Sequence, residues 1–402
     1  MNKRTVLVGS LAFSFLVGKA QEHKKSEFKV KETEVELLYN HYLQNGNNSA
    51  VTGGEGTEQL TVYGPSFNMD KTIGKNSYHF QLGADIISSA STDNIDYVQS
   101  SASRLDTRSY SALTYSRYME NTKTTLSFGV SGSIESDYAS FGKHLGWSKT
   151  SKSDMRTYSA ELQIFNDDLR WGRLDGVFFA EPQFLIYPVE LRNQEWHDEY
   201  KRDSYNLSLG FTQIVGQRNM IGIFSILSMQ RGLLATTFHR VFFKNNTRGV
   251  EQLPNERHKI GVSVRWNSFS KGGFIFKNSI RGYMDDFGIL GFTLDNETAI
   301  KLSPKWTLLP STRFYAQKGA KFFAEKGEHD VNERYYTSDY DLSTINTWTF
   351  GLGWKHWPTK RKNKRLHNFS FRYFYYSRSN GLRAHTISTS FNLMKKRRVK
   401  KT

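Results

Sequence analysis

Strict alternation of apolar and polar residues is the feature that most limits what this chain can fold into. Leu126, Phe128 and Val130 lie on one side of an extended backbone, and the Ser and Gly residues between them lie on the other. The same alternation returns at 158–164, 205–212, 260–266, 348–355, 369–375 and 386–393. A period of two is the repeat of a β-strand with one apolar face and one face in water. The chain is therefore expected to be all-β.

The strands fit a membrane barrel better than a soluble sandwich, although both give a period of two. After Ala20 no run of about 18 apolar residues occurs, so no transmembrane helix is expected. The strands often reach about ten residues, whereas strands of globular proteins usually have about five or six. Aromatic residues gather near the strand ends, as in the interfacial girdles of a barrel: Tyr115, Tyr118, Trp147, Trp266, Trp306, Trp354 and Trp357. We predict a transmembrane antiparallel β-barrel.

The alternation divides the chain into about sixteen strands, within a range of about 14 to 18, and single-chain bacterial barrels have an even number. The predicted strands are 33–43, 58–69, 76–89, 106–119, 123–135, 138–149, 154–166, 201–215, 219–231, 256–268, 273–285, 290–302, 305–318, 345–357, 366–378 and 384–393. Residues 172–190 form either a loop or a further hairpin, and the hairpin would raise the count to about eighteen.

Short and long connections alternate between these strands, and this alternation predicts an orientation. The short turns are 70–75, 120–122, 216–218, 269–272 and 303–304. The long loops are 44–57, 90–105, 167–200, 232–255 and 319–344. In outer-membrane barrels the short turns are periplasmic and the long loops are extracellular. We therefore expect the protein in the outer membrane of a Gram-negative cell, with both termini in the periplasm.

The two ends of the chain differ from the part between them. Residues 1–20 are typical of a signal peptide, with Lys3 and Arg4 before an apolar segment and small residues at the expected cleavage site. The chain has no Cys, which excludes disulfides and thiolate metal sites. Part of the net charge of +17 comes from the last residues, 395–402. We expect 21–394 to form the barrel and 395–402 a basic periplasmic tail, with no nucleic-acid partner because the protein is exported.

Charged residues recur on the polar face of the later strands, which would line the lumen of a barrel. These candidates are Arg265, Lys277, Arg281, Asp295, Glu297, Lys301, Arg313, Lys355 and Arg372. Because most of them are basic, one hypothesis is a pore that favours anions. The alternative is that the charges pair across the lumen, for example Arg313 with Asp295, and only satisfy one another.

Two other groups of residues are candidates for a metal site and a catalytic site. Carboxylates near one rim could bind Ca²⁺ through oxygen ligands, although Asp and Ser favour such turns in any case: Asp93, Asp96, Asp106, Glu135 and Asp137. His239, in the segment Phe238, His239 and Arg240, could serve an envelope hydrolase. No nucleophile motif such as Gly-x-Ser-x-Gly accompanies it, so we expect no enzyme. Apart from the Ca²⁺ alternative, no cofactor is expected.

Several stretches resemble a family of exported proteins classified as domain of unknown function 3570. They are Ser49–Glu58 (SAVTGGEGTE), Ser100–Arg108 (SSASRLDTR), Glu135–Ser140 (ESDYAS), Gly232–Phe243 (GLLATTFHRVFF) and Tyr336–Ser343 (YTSDYDLS). The resemblance implies an outer-membrane β-barrel without an established activity. It also implies a redox setting, since members are often encoded near flavin-transferase and thioredoxin-like envelope proteins. Thr237 stands where the family usually has Pro, and no catalytic residues carry over.

These observations lead to a functional hypothesis with open alternatives. A porin-like barrel, or one that binds a ligand or partner through extracellular loops, fits them best. A scaffold for an envelope redox or surface-assembly complex is the alternative. The chain is too short for a plug domain and a 22-stranded barrel, which argues against active transport.

Overall fold

The computed structural model describes residues 28–89, 105–135, 138–169, 200–358 and 366–400. The signal-peptide prediction at 1–20 and the predicted loop or hairpin at 172–190 lie outside these residues. The strands are β1 Phe28–Asn45, β2 Leu60–Ile73, β3 Asn76–Ser89, β4 Leu105–Met119, β5 Thr124–Ile134, β6 Ala139–Thr150, β7 Arg156–Asp168, β8 Lys201–Val215, β9 Asn219–Gly232, β10 Arg240–Phe242, β11 Arg248–Val250, β12 Glu256–Phe269, β13 Phe274–Asp285, β14 Leu290–Lys301, β15 Trp306–Lys318, β16 Ile345–His356, β17 Leu366–Arg378 and β18 Arg383–Lys400.

Sixteen of these strands form one closed antiparallel barrel, while β10 and β11 form a separate hairpin. The barrel closes where β1 pairs with β18, from Phe28 opposite Lys400 to Asn45 opposite Arg383. Closure leaves no strand edge with unpaired backbone groups. The predicted fold class is confirmed. Strand β7 pairs directly with β8, from Arg156 opposite Gln213 to Asp168 opposite Lys201.

The outer face of the barrel is apolar, which reverses the usual arrangement of a soluble protein. Large apolar side chains on alternate positions are exposed, with Leu145 at 59%, Phe128 at 57% and Ile280 at 52%. Polar and small residues occupy the positions between them and face inward. This surface suits contact with lipid, where hydrocarbon and not a protein core covers the apolar side chains.

In the ranges given above, the chain forms no helix that is both long and apolar enough to cross a membrane. The 3₁₀ turns Ala50–Thr52 and Tyr340–Leu342 lie in loops.

Short turns gather at one end of the barrel and long loops at the other. Gly74, Gly216 and Gly273 adopt positive φ angles of 62°, 71° and 81° in turns at the short end, which only Gly does without strain. The first and last strands also begin and end at the short-turn end. The expected boundary at residue 394 lies inside β18, because the basic residues up to Lys400 pair with the start of β1. Residues 395–400 are therefore strand and not a separate tail.

The apolar outer face makes a prediction about single charges. Leu145→Arg should destabilise the barrel in liposomes by about 2–4 kcal/mol, because a charge at mid-membrane must be desolvated. Ser148→Arg on the inner face of the same strand should have a much smaller effect. Urea unfolding followed by gel migration measures both variants. Equal destabilisation of the two would contradict the assignment of the faces.

Candidate functional site

Three long loops fold together into one compact unit, here called the loop cap: residues 46–59, 233–255 and 319–344. The second loop carries the hairpin of β10 and β11. Bridges between Phe243 and His329 and between Gln252 and Tyr336 join the second loop to the third. Lys326 Nζ lies 2.8 Å from Glu55 Oε2 and joins the third loop to the first. The cap is thus built from segments that are far apart in sequence.

The loop cap rests on the inner wall of the barrel and not on its outer rim. Gln317 faces inward from β15 and donates hydrogen bonds to the backbone carbonyls of Asp341, at 2.9 Å, and Ser343, at 2.6 Å. Arg378 faces inward from β17, and its Nη1 lies 2.5 Å from Asp341 Oδ1. Since these partners are lumen-facing, residues 339–343 fold over the mouth of the barrel.

A small apolar core secures the same end. Its buried members are Phe287, Ile289, Ala320 and Leu342, packed against Leu234, Leu253, Tyr283 and Phe322. The rings of Phe287 and Phe322 meet edge to face at 5.3 Å between centroids. The described part of the barrel thus has its conventional core under the loop cap, because the strands bury little apolar surface among themselves.

Two consecutive glycines explain part of the first loop. Gly53 and Gly54 adopt φ angles of +79° and +94°, which a side chain would strain. A Cβ on Gly53 would lie 2.5 Å from the ring of Phe242, and one on Gly54 would lie 3.0 Å from the Ser338 carbonyl. The pair therefore allows the first loop to approach the other two closely.

His239 lies between two carboxylates at the contact of the second and third loops. Its Nδ1 is 3.6 Å from Glu251 Oε1 and 3.9 Å from Asp339 Oδ2. The Glu251 side chain is only 2% exposed and accepts hydrogen bonds from the Thr337 hydroxyl and the Thr236 amide. The cluster links two loops through one imidazole.

The charged groups of this cluster shift the pKa values of both His239 and Glu251. Burial alone would lower the pKa of His239, but the charges of Glu251 and Asp339 raise it above its ordinary value. Burial alone would raise the pKa of Glu251, but the charge of His239 and the hydrogen bond from Thr337 hold it at about 2. Each group thus favours the charged form of the other, the imidazolium of His239 and the carboxylate of Glu251. A nucleophilic hydroxyl activated by His239 would donate its hydrogen bond to the imidazole. The Thr337 hydroxyl donates to Glu251 instead.

The loop cap brings together three of the five stretches that carry the family resemblance: 49–58, 232–243 and 336–343. In the segment Phe238, His239 and Arg240, the Phe238 ring meets the His239 ring edge to face, and Arg240 donates to the Thr237 carbonyl at 3.3 Å. Sequence reasoning found His239 but missed Glu251, which stands outside these stretches and has no local signal.

Buried pairs of Arg and carboxylate recur around the loop-side rim. Arg202 Nη2 lies 2.8 Å from Asp167 Oδ2, and the Tyr138 hydroxyl donates to the same carboxylate at 3.0 Å. Arg257 pairs with Asp285, which also accepts from the Tyr283 hydroxyl at 2.7 Å. These pairs fix strand ends where the loops begin.

The nine charged candidates of the later strands all lie on the inner face, alternating with exposed apolar positions on β12 to β17. Asp295 pairs with Arg313. Glu297 accepts from both Lys277, at 2.8 Å, and Arg372, at 2.7 Å. In the described part of the chain, the remaining four have no carboxylate oxygen within 4.0 Å: Arg265, Arg281, Lys301 and Lys355.

The contact between Arg372 and Glu297 depends on two glycines of β16, which leave room for it on the inner face. The two residues lie three strands apart, about 14 Å along the sheet at about 4.8 Å per strand. A Cβ on Gly353 would lie 2.8 Å from Arg372 Cγ, and one on Gly351 would lie 2.2 Å from Ser311 Oγ. The two glycines open a groove across β16. Such a bridge forms only on the concave side of a sheet, which identifies this face as the lumen.

The suggested Ca²⁺ ligands are not brought together by any described contact. Asp93, Asp96 and Asp137 lie outside the described residues, as does the side chain of Asp106. Glu135 is buried, and its Oε1 is 3.6 Å from Arg108 Nε. No group of three potential metal ligands occurs among the residues that the structure describes. The Ca²⁺ site stays a prediction.

Comparison with models of protein families shows to which family the chain belongs. A model described as "Protein of unknown function (DUF3570)" matches residues 7–394. The chain belongs to this family. The resemblance inferred from the five stretches is thereby confirmed, and DUF3570 carries no established activity in its description. No curated protein matches the chain significantly in sequence.

Solved structures similar to this DUF3570 barrel include three whose descriptions name outer-membrane proteins or porins. OpdK of Pseudomonas aeruginosa, solved with vanillate, is 8% identical, with a TM-score of 0.42 over 91% of this chain and 99% of that one. A bacterial polysaccharide outer membrane secretin is 10% identical, with a TM-score of 0.46 over 90% and 97%. A BenF-like porin from Pseudomonas fluorescens is 9% identical, with a TM-score of 0.43 over 90% and 99%.

The His239 cluster predicts a pH dependence of the loop cap. The pKa of His239 is raised in the folded protein. The stabilisation that its positive charge gives the loop cap is therefore fully present below about pH 6.5 and is lost as the pH rises through the raised pKa. Glu251 acts in the opposite sense, and its contribution is lost only as the pH falls from about 4.3 towards 2.

Amide hydrogen exchange of residues 336–343, measured between about pH 5 and pH 9 and corrected for intrinsic rates, tests this dependence. Protection should fall on the alkaline side in the unmodified protein and should be low and nearly flat in His239→Asn. An alkaline fall of the same size in His239→Asn would show that another group is responsible.

Proposed function

We propose that this protein is a porin-like channel of the outer membrane, with an inner wall that favours small anions and a mouth narrowed by the loop cap. The observation that carries this proposal is a set of lumen-facing cations that have no carboxylate within 4.0 Å among the described residues, chiefly Arg265, Arg281 and Lys355. A barrel of about sixteen strands is wide enough to hold water. Cations on its wall lower the entry barrier for anions.

The alternative, that lumen charges only satisfy one another, accounts for part of the wall. Asp295 and Glu297 are fully engaged with Arg313, Lys277 and Arg372. The other four cations are left over after this pairing, which supports a net positive arc on β12 to β17. The anion preference rests on these four.

Acidic residues on the opposite arc are also engaged. Asp70 lies 3.0 Å from His79 Nδ1, and Glu161 accepts from Gln163 at 2.7 Å. Glu36 accepts from Asn68 and Asn392 at 3.4 and 3.5 Å. These contacts hold the carboxylates against the opposite wall, where they keep their charge, so in this proposal the β12 to β17 arc forms the anion-favouring side of the lumen.

The proposal includes an orientation. The apolar outer face contacts membrane lipid, the long loops are extracellular and both chain ends are periplasmic, following the usual arrangement of short turns and long loops. The loop cap then faces the medium, where it decides which solutes reach the lumen.

Planar-bilayer recording tests the proposed channel. The full-length mature protein should insert with a stable conductance, and a salt gradient should give a reversal potential of the sign for anion preference. Arg265→Gln together with Arg281→Gln should move the reversal potential towards zero, because the wall loses two unpaired charges. Correctly folded protein without conductance would refute the channel, and a cation-selective conductance would refute its selectivity.

Removing one acid should strengthen the preference. Glu297→Gln frees Lys277 and Arg372 from their shared carboxylate and should shift the reversal potential further towards anions. Glu120→Gln, an equal change of charge at an exposed turn pair with Lys75, is the matched control and should leave it unchanged. An unchanged potential in Glu297→Gln would remove the wall of β13 to β17 from the selectivity filter.

A further inference from the structure

One part of the inner wall combines two cations with exposed apolar surface. Phe224 on β9 and Arg281 on β13 both lie directly opposite Ser263 of β12, and Arg265 lies two residues along β12. All four positions face the lumen. Arg265 and Arg281 are thus diagonal neighbours on adjacent strands, close enough for two long side chains to reach one ligand.

Glycines seat the aromatic ring of this patch. A Cβ on Gly222 would lie 2.6 Å from the Phe224 ring, and one on Gly210 would lie 3.1 Å from it. The ring therefore fills the space that two side chains would otherwise take. Arg265 Cζ lies 4.7 Å from the ring centroid, so the ring orients this guanidinium by a cation–π contact.

An apolar side chain stands out beside these cations. Ile226 follows Phe224 on the same face of β9, pairs with Gly261 across the strand and is 43% exposed. The inner wall is otherwise mostly polar, charged or glycine, so an exposed Ile in the lumen leaves apolar surface in water. A ligand with an apolar part would cover it.

Among the described residues, the two guanidiniums also differ from Arg313 in having no carboxylate close by. Arg313, two strands away from β13, has Asp295, whereas Arg265 and Arg281 have no carboxylate within 4.0 Å in the described part of the chain. Adjacent like charges repel each other, and a shared anion would relieve this repulsion. Guanidinium groups bind carboxylates through paired, charge-assisted hydrogen bonds.

We infer that Arg265, Arg281, Phe224 and Ile226 form a binding subsite for a small organic carboxylate with an apolar body. The carboxylate lies between the two guanidiniums, and the apolar body lies along Ile226 and the edge of the Phe224 ring. This inference rests on the proposed channel, since the ligand must enter the lumen. It specifies the class of solute that binds to the channel wall during passage.

Hexanoate is the probe. Acetate carries the same carboxylate without the longer alkyl chain, and 1-hexanol carries the alkyl chain without the charge. Isothermal titration of the detergent-solubilised, full-length mature protein should show hexanoate binding about tenfold tighter than acetate, because part of the chain is buried. Hexanol should not bind at this site. In bilayers, hexanoate should reduce the single-channel current in a saturable manner.

Variants assign the binding to the patch. Arg281→Gln and Arg265→Gln should each weaken hexanoate binding about tenfold, a loss in the usual range for a charge-assisted hydrogen bond. Arg265→Lys keeps the charge without the planar fork and should lie between. Ile226→Ser should weaken hexanoate binding but not acetate binding. Lys301→Gln, which removes another lumen-facing cation, is the control and should change neither.

The outcomes separate this subsite from the channel itself. Stable conductance with hexanoate binding that Arg265→Gln and Arg281→Gln leave unchanged would overturn the subsite and leave the channel standing. Equal affinities for acetate and hexanoate would also overturn it. Patch-dependent titration in a protein without conductance would support the subsite while refuting the channel. Heat-modifiable gel migration shows that each variant is folded before it is compared.

Discussion

The closing of β1 onto β18 is the constraint on which the rest of this structure depends. In lipid no water is available to satisfy a free strand edge, so every backbone donor and acceptor in the spanning region must find a partner within the protein. A sheet meets this demand only by returning to its first strand. Closure also separates two surfaces completely, one facing hydrocarbon and one facing an enclosed space, and each residue of a strand belongs to one of them.

The inner surface is then free to carry charges that a compact protein could not accommodate. Because the wall is concave, long side chains from strands that are not neighbours meet across it, as Arg372 and Glu297 do over Gly351 and Gly353. Glycines have a second role on this wall, where Gly210 and Gly222 make room for the Phe224 ring. Packing on the inner face is thus decided by which positions lack a side chain as much as by which carry one.

The sequence predicted the barrel far better than it predicted the site. Period-two alternation indicated most of the strands to within a few residues and put Arg265 and Glu297 on the same face, because a strand's parity is a local property. It could not show that Glu297 meets Arg372, since that contact depends on the curvature of the sheet. The loop cap was out of reach for a similar reason. His239 has a distinctive local sequence, but Glu251 acquires its role only when two loops dock, and the final residues of β18 resembled a tail because their charges hid their pairing.

The loop cap has a consequence for the order in which the molecule is assembled. Its first loop follows β1, while its third loop precedes β16, so the two are brought side by side only after the ends of the sheet have joined. Arg378 on β17 and Lys326 in the third loop contact Glu58 and Glu55 of the first, across the seam between β1 and β18. An open sheet cannot make these contacts. The cap therefore bridges the joint between the first and last strands, and protection of its amides would report when the cylinder is complete.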